Sequence, residues 1–252
     1  MKIDVILTPA DLPALAQRDL QETVCVVFDI LRATSTFVTA LHNGAKAIIP
    51  AREIAGALAI RKNQPEVLLG GERAGVKIRA AQTGGIDFDF GNSPREYTPE
   101  KVRGKIIVST TTNGTRALRA CVGAQTILAG SFLNLGATAE FIKKLQPAEV
   151  LLVCAGTGEN RADEDVLAAG ALCEFLAREN VQTNFSDSAG AARRDCTLAK
   201  SDLAAAFSVS QNGRRLLAIP ELRDDVAFCS QRDIFPLIAK MEADGAIRVC
   251  QS

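Results

Sequence analysis

The sequence places charged or hydroxyl side chains directly after several of its short apolar runs. The run Val24–Asp29 ends in a carboxylate, and Arg32 and Thr34 follow within one turn of chain. A carboxylate at such a tip can ligate a metal ion or act as a nucleophile, and a nearby guanidinium pairs with phosphate. Helix capping would account for Asp29 and the hydroxyls, but it gives no role to Arg32. The run Lys105–Ser109 leads into Thr110, Thr111, Thr112, Asn113, Gly114, Thr115 and Arg116. Hydroxyls, an amide and a glycine at a helix start offer donors to an anion, in excess of what a cap requires. The GxxxxGK[ST] spacing is missing, so a nucleoside triphosphate is not implied.

A third run, Glu149–Cys154, passes through Gly156 and Gly158 to Asp163, Glu164 and Asp165. Carboxylates beside a glycine-rich turn suit an oxygen-liganded magnesium ion. Glu164 and Asp165 join Asp29 as candidate ligands, with Asp163 a weaker one, although a helix dipole also favours acids there. Cys154 and Arg161 are separated by six residues, one more than a Cys-x5-Arg phosphatase loop has, so a thiolate nucleophile is disfavoured. After Val67–Leu69 come Glu72 and Arg73, a carboxylate and a guanidinium that read equally well as a surface ion pair. Asn92 and Ser93 lie within a long glycine-rich segment, Gly70 to Thr98; a loop of that length is usually functional or disordered. His42, the sole histidine, precedes the C-cap signal Asn43-Gly44, so histidine-based hydrolysis is not expected.

These positions need a scaffold that gathers strand ends. Apolar runs at Met1–Leu7, Val24–Asp29, Ala47–Pro50, Val67–Leu69, Lys105–Ser109, Gln125–Ala129 and Glu149–Cys154 read as strands. Helical patterns follow at Thr34–His42 and Arg52–Lys62, and begin at Asn113, Asn134 and Asp163. This alternation predicts an α/β fold, with a mixed, largely parallel sheet sandwiched by helices. In such sheets ligands sit at the carboxyl ends of strands. Ser186–Leu217 reads as helical, and 238–249 as a hairpin turning at Asp244-Gly245. The whole chain, 1–252, is expected to act as one unit, with room for a smaller C-terminal α+β subdomain divided off near 178–186.

Composition narrows the function. The 29 Lys+Arg residues balance 29 Asp+Glu, and aromatics are 5%, so nucleic-acid binding is disfavoured. No apolar run approaches a membrane span, and the strand at Met1–Leu7 leaves no signal peptide to expect. Seven scattered cysteines without a CxxC pair suit a reducing compartment, so a cytoplasmic location is expected.

The segments FDILRATSTFVTAL (28–41), GER (71–73), FDFGNSPREY (88–97), GKIIVSTTTNGTRAL (104–118) and CAGTGENRADEDVLAAG (154–170) together resemble the 2-phosphosulfolactate phosphatases. The likeness runs from about residue 3 to the C-terminus. It implies an α/β fold and a magnesium-dependent hydrolysis of 2-phospho-3-sulfolactate to 3-sulfolactate and phosphate, of the coenzyme M biosynthesis type. The expected substrate is a small phosphorylated acid, and a homo-oligomer is left open. Residues 79–85 lengthen the segment before FDFGNSP and are expected to border the pocket. A substrate bearing phosphate, carboxylate and sulfonate needs several cations, which Arg32, Arg73, Arg116 and Arg95 could supply. The expected catalytic set is Asp29, Arg32, Glu72 and Arg73. Thr34, Asn92, Ser93 and the 110–116 turn are assigned to the substrate, and Mg2+ to Asp29, Glu164 and Asp165. Water is the favoured nucleophile, since Asp29 lacks the Asp-x-Asp of aspartyl-phosphate enzymes. Two alternatives remain: a phosphatase for another small phosphorylated acid, and a non-catalytic sensor of a phosphorylated metabolite.

Overall fold

The strand Thr23–Phe28 is buried at every position, as a run apolar on both faces requires. Its alternate residues enter different cores: Val24, Val26 and Phe28 on one side of the sheet, Cys25 and Val27 on the other. The computed structural model describes residues 1–177 and 183–250. Among these, the strands are β1 (Lys2–Ile6), β2 (Thr23–Phe28), β3 (Ala47–Pro50), β4 (Leu68–Arg73), β5 (Val76–Lys77), β6 (Ile106–Thr110), β7 (Thr126–Gly130), β8 (Glu149–Cys154), β9 (Asn184–Phe185), β10 (Ile238–Met241) and β11 (Ile247–Cys250). They form one sheet in the order β5-β4-β6-β3-β11-β10-β7-β2-β8-β1-β9.

Two parallel runs, β7-β2-β8-β1 and β3-β6-β4, are joined by the antiparallel hairpin β10–β11. The mixed, largely parallel α/β sheet expected from the sequence is therefore present. The last two strands lie in its middle rather than in a sheet of their own. The division expected near 178–186 falls partly on 178–182, outside the described residues. The hairpin turns at Asp244 and Gly245, whose φ of +79° suits glycine.

Helices Leu135–Leu145, Asp163–Ala177 and Asp187–Ala199 contribute to the first core, and Ala33–His42 and Gly114–Ala120 to the second. The helical stretch expected from Ser186 to Leu217 is in fact three helices, Asp187–Ala199, Leu203–Val209 and Gln211–Leu217. The breaks fall at two N-caps: Asp202 accepts from the Ala205 N–H, and Ser210 from the Gly213 N–H. Among the described residues, no helix is long and apolar enough to cross a membrane.

Candidate functional site

The carboxyl end of β2 fixes Asp29 in a tight turn. Its N–H donates to Thr34 Oγ1 at 3.0 Å, its carbonyl accepts from the Thr34 N–H, and Oδ1 accepts from the Ala33 N–H at 3.1 Å. Thr34 therefore shapes the turn and is itself fully buried. The loop after β6 reaches Asp29 even though four strands separate β6 from β2 in the sheet. The approach is so close that a Cβ on Gly114 would lie 2.8 Å from Asp29 Oδ2 and 2.9 Å from the Ala33 Cβ. Only glycine fits there without a shift.

From the end of β4, Glu72 joins the same place. Its Oε1 accepts from both the N–H (2.9 Å) and Oγ1 (2.8 Å) of Thr112, and Oε2 accepts from the Gly75 N–H at 2.7 Å. Asp29, Arg32, Glu72, Gly75, Asn92, Thr112 and Asn113 then line a single cavity of about 180 Å³. Helix Gln211–Leu217 closes its other wall with Asn212, Arg215 and Leu216.

Burial raises the Asp29 carboxyl to about 6; the nearby charges of Glu72 and Glu164 add to this, while N–H groups of Ala33 and Gly114 oppose it. Glu164 is 1% exposed, and burial lifts its carboxyl as well. Asn212 donates from Nδ2 to Glu164 Oε1 and to Thr157 Oγ1, both at 2.7 Å. Glu164 Oε2 is buried and has no hydrogen-bond partner among the described residues. Several buried carboxylates thus act on one another with little compensating positive charge.

Arg32, which lines the same cavity, is already engaged. Arg32 NH1 pairs with Asp225 Oδ2 at 2.7 Å, with both side chains almost fully buried (2% and 0% exposed), and NH2 donates to the Gly75 carbonyl. Ser93 Oγ donates to Asp225 Oδ1 at 2.7 Å, and Arg95 Nε stands 3.5 Å from it. Ser93 thus holds Asp225 and does not line the cavity.

Other expected site residues lie elsewhere or are occupied. Arg73 is turned back onto the Glu72 carbonyl and onto the carbonyl and Oγ1 of Thr110. Thr111 and Thr115 bond to each other. Every hydroxyl of the threonine turn is thus used within the protein, and the Thr112 N–H serves Glu72. As an open phosphate cradle this turn is largely filled; its free contribution to the cavity is Asn113. Arg116 lines a different cleft and pairs with Glu159. Asp165 accepts from the Ile30 and Gly156 N–H groups at 2.8 and 3.0 Å, one per oxygen, and so staples two strand-end loops together. Residues 79–85 contribute nothing to the cavity wall.

Two groups weighed in the sequence, Cys154 and His42, do not line the cavity. Burial, with the Asp165 charge adding to it, pushes the Cys154 thiol well above its usual range. His42 stacks on Phe235 with ring centroids 4.0 Å apart. The sequence reading missed Asn212, Arg215 and Asp225. One signal was available: Gly213 lies inside a helix, where glycine costs about 1 kcal/mol unless a close contact requires it. A Cβ there would lie 1.7 Å from the Phe207 carbonyl oxygen, so the helix is clamped against its neighbour.

Whether the site suits a divalent cation can be judged from its donors. Among the described residues, no group of three or more His, Cys, Asp or Glu side chains forms a ready-made cage. Magnesium commonly uses one or two carboxylates and keeps several waters. The unpartnered Glu164 oxygen and the raised Asp29 carboxyl, both acidic and under-compensated, fit such an ion. Asp165, with both oxygens on backbone donors, fits less well.

Comparison with known proteins finds similarity over nearly the full length. A family model described as 2-phosphosulpholactate phosphatase matches residues 8–244. A protein of Caldanaerobacter subterraneus subsp. tengcongensis named probable 2-phosphosulfolactate phosphatase is 38% identical over 242 residues, covering 94% of this chain and 95% of the relative. Proteins of the same name from Thermotoga maritima (37% identical, 94% and 93% covered) and Clostridium perfringens (34%, 100% and 98%) are similar throughout. The chain therefore belongs to the 2-phosphosulfolactate phosphatase family, a family of phosphoric monoester hydrolases.

Proposed function

We propose that the chain hydrolyses 2-phospho-3-sulfolactate to 3-sulfolactate and phosphate at the Asp29–Glu72 cavity, with Mg2+ as cofactor. The observation that carries this reading is the pair of buried carboxylates, Asp29 and Glu72, that share a cavity with Arg32 and Arg215, with the buried Glu164, which does not itself line the cavity, acting on Asp29 through its charge. A divalent cation offsets the charge of those carboxylates, and with Arg32 and Arg215 it gives a phosphate monoester positive groups to bind. The family and its named relatives support the substrate. The reaction would serve the coenzyme M type of biosynthesis. The seven cysteines, six of them buried, support a reducing, cytoplasmic setting.

Asp29 and Glu164, with Glu72 adjacent, are the residues that would hold the ion. When bound, it supplies positive charge to the phosphoryl oxygens as the ester bond breaks. The chain's own part is to position groups and to supply charge. Glu72 is fixed by three donors and keeps one acceptor site, on Oε2, free for orienting water. Arg32, immobilised by Asp225, presents its remaining N–H donors to an oxyanion. Asp29 is ionised at neutral pH, since its carboxyl titrates near 6. Water is the nucleophile in this scheme: its oxygen bonds to phosphorus as the ester P–O bond breaks, and the proton it gives up balances the one the leaving alkoxide takes from solvent.

Phosphate release from 2-phospho-3-sulfolactate, 2-phospholactate and 2-phosphoglycolate, measured before and after EDTA, tests the reading. The expected result is fastest release from phosphosulfolactate, loss in EDTA, and recovery on adding Mg2+. Full activity in EDTA contradicts the metal assignment. Saturable binding without turnover identifies a sensor instead.

A further inference from the structure

The phosphatase reading leaves open how the enzyme recognises the acid groups beyond the phosphate, and the cavity's charges bear on this. Asp29 and Glu72 are acidic, and Arg32 is matched by the buried Asp225 at 2.7 Å. Arg215 also lines the cavity, and it donates to no protein partner among the described residues. Its five N–H donors are therefore available to a ligand.

The position of Arg215 is well fixed even though its tip is exposed. Helix Gln211–Leu217 begins at the Ser210 cap and is pressed against the Phe207 carbonyl through Gly213. Asn212 bolts it to Thr157 and Glu164. Residues 212, 215 and 216 are spaced i, i+3 and i+4, so they share the helix face that meets the cavity. The guanidinium lies over Gly75, where an added Cβ would be 3.5 Å from Nε and 3.6 Å from Cζ. Gly75 also gives its N–H to Glu72 and its carbonyl to Arg32. One loop residue thus sets Arg215 beside the groups assigned to the phosphoryl end.

Resting on the phosphatase reading, we propose that Arg215 is a specificity residue that binds the substrate's second acid group, its carboxylate or sulfonate, while the phosphoryl group sits at Asp29 and Arg32. Both acids present planar or trigonal oxygen faces that a guanidinium fork matches. A phosphate ester without such a group has nothing to offer Arg215.

The test is steady-state phosphate release by wild type, Arg215→Gln and Arg215→Lys from three esters. These are 2-phospho-3-sulfolactate, 2-phospholactate, which lacks the sulfonate, and phenyl phosphate, which lacks both acids. Arg215→Gln is expected to raise KM for phosphosulfolactate about 10- to 100-fold, as for loss of a charge-assisted hydrogen bond, with kcat within about threefold. The effect on phenyl phosphate is expected to be at least about tenfold smaller. Arg215→Lys recovers part of the loss, keeping charge without the fork. A parallel KM rise with phospholactate assigns the carboxylate; a rise confined to phosphosulfolactate assigns the sulfonate. An equal rise with all three esters, an unchanged KM for phosphosulfolactate, or a loss confined to kcat overturns the proposal. A wild type that releases phosphate from none of them overturns the phosphatase reading itself, and this inference with it.

Discussion

Two clefts flank the turn Thr110–Thr115 and share Thr112, yet they are built on opposite principles. On one side, Asp29, Glu72 and Arg32 are buried, and each is held by backbone or by a fixed partner. On the other, Arg52, Arg116 and Arg119 line a larger cleft of about 390 Å³, with Arg116 paired to the exposed Glu159. The second cleft has more arginines but little that fixes them. Charge alone does not make a site; desolvation and immobility give a charged group leverage on a reacting phosphate.

The contrast should appear first in stability. Asp225→Ala leaves Arg32 buried without its anion, and the expected cost is about 3–5 kcal/mol in urea unfolding. A cost below about 1 kcal/mol would mean that the pair is solvated and the two sides differ less than described.

The next effect is in pH dependence, where the two sides have opposite signs. Asp29 binds its proton more tightly in the folded chain, so its contribution to stability is full below about 3.8 and is lost as pH rises through about 6. In metal-free protein that loss is on the order of 3 kcal/mol, and Asp29→Asn should flatten it. The Arg116 hydrogen bond holds Glu159 below the usual carboxylate range, so its contribution is present at neutral pH and fades on acidification. Unfolding curves from pH 4 to 8 for wild type, Asp29→Asn and Glu159→Gln separate the two. A wild-type stability that rises from pH 4 to 7, with Asp29→Asn parallel to it, contradicts the buried-carboxylate picture.

The smallest effect is expected from Glu159→Gln at pH 7. Its ion pair with Arg116 is exposed on both sides, and the melting temperature should stay within about 2 °C of wild type. A larger drop would show that the second cleft is structured by its charges after all.

The same contrast explains what the sequence could disclose. Asp29, Arg32, Thr112 and Asn113, which follow strands of the parallel runs, and Glu72, at the end of β4, do line one cavity, as strand-end logic expects, and Asn92 joins them from the loop after Phe90. It failed for Arg116: a residue three positions after Asn113 on a short helix faces the other side of the turn, and nothing local fixes that rotation. It also missed Asp225, Asn212 and Arg215. Asp225 sits beside Asp224 at a helix start, where acids are ordinary. Asn212 and Arg215 lie on a helix whose sequence, QNGRRLL, reads as a solvated surface. Their roles arise from long-range packing, with Asp225 193 residues from Arg32 in the chain. The sheet was legible because its apolar runs are local. The insertion of β10–β11 into the middle of it was not, since pairing between distant strands leaves no local pattern.

A single comparison of two variants decides between the clefts: initial rates of phosphate release from 2-phospho-3-sulfolactate at pH 7.5 in excess Mg2+. With Asp29→Asn the rate should fall by on the order of a thousandfold or more, as for loss of a group that acts on the transferring phosphoryl. With Arg116→Gln it should stay within about threefold of wild type, as expected for an exposed pair. Full activity in Asp29→Asn, or its loss in Arg116→Gln with folding intact, would place the chemistry on the wrong side of the threonine turn.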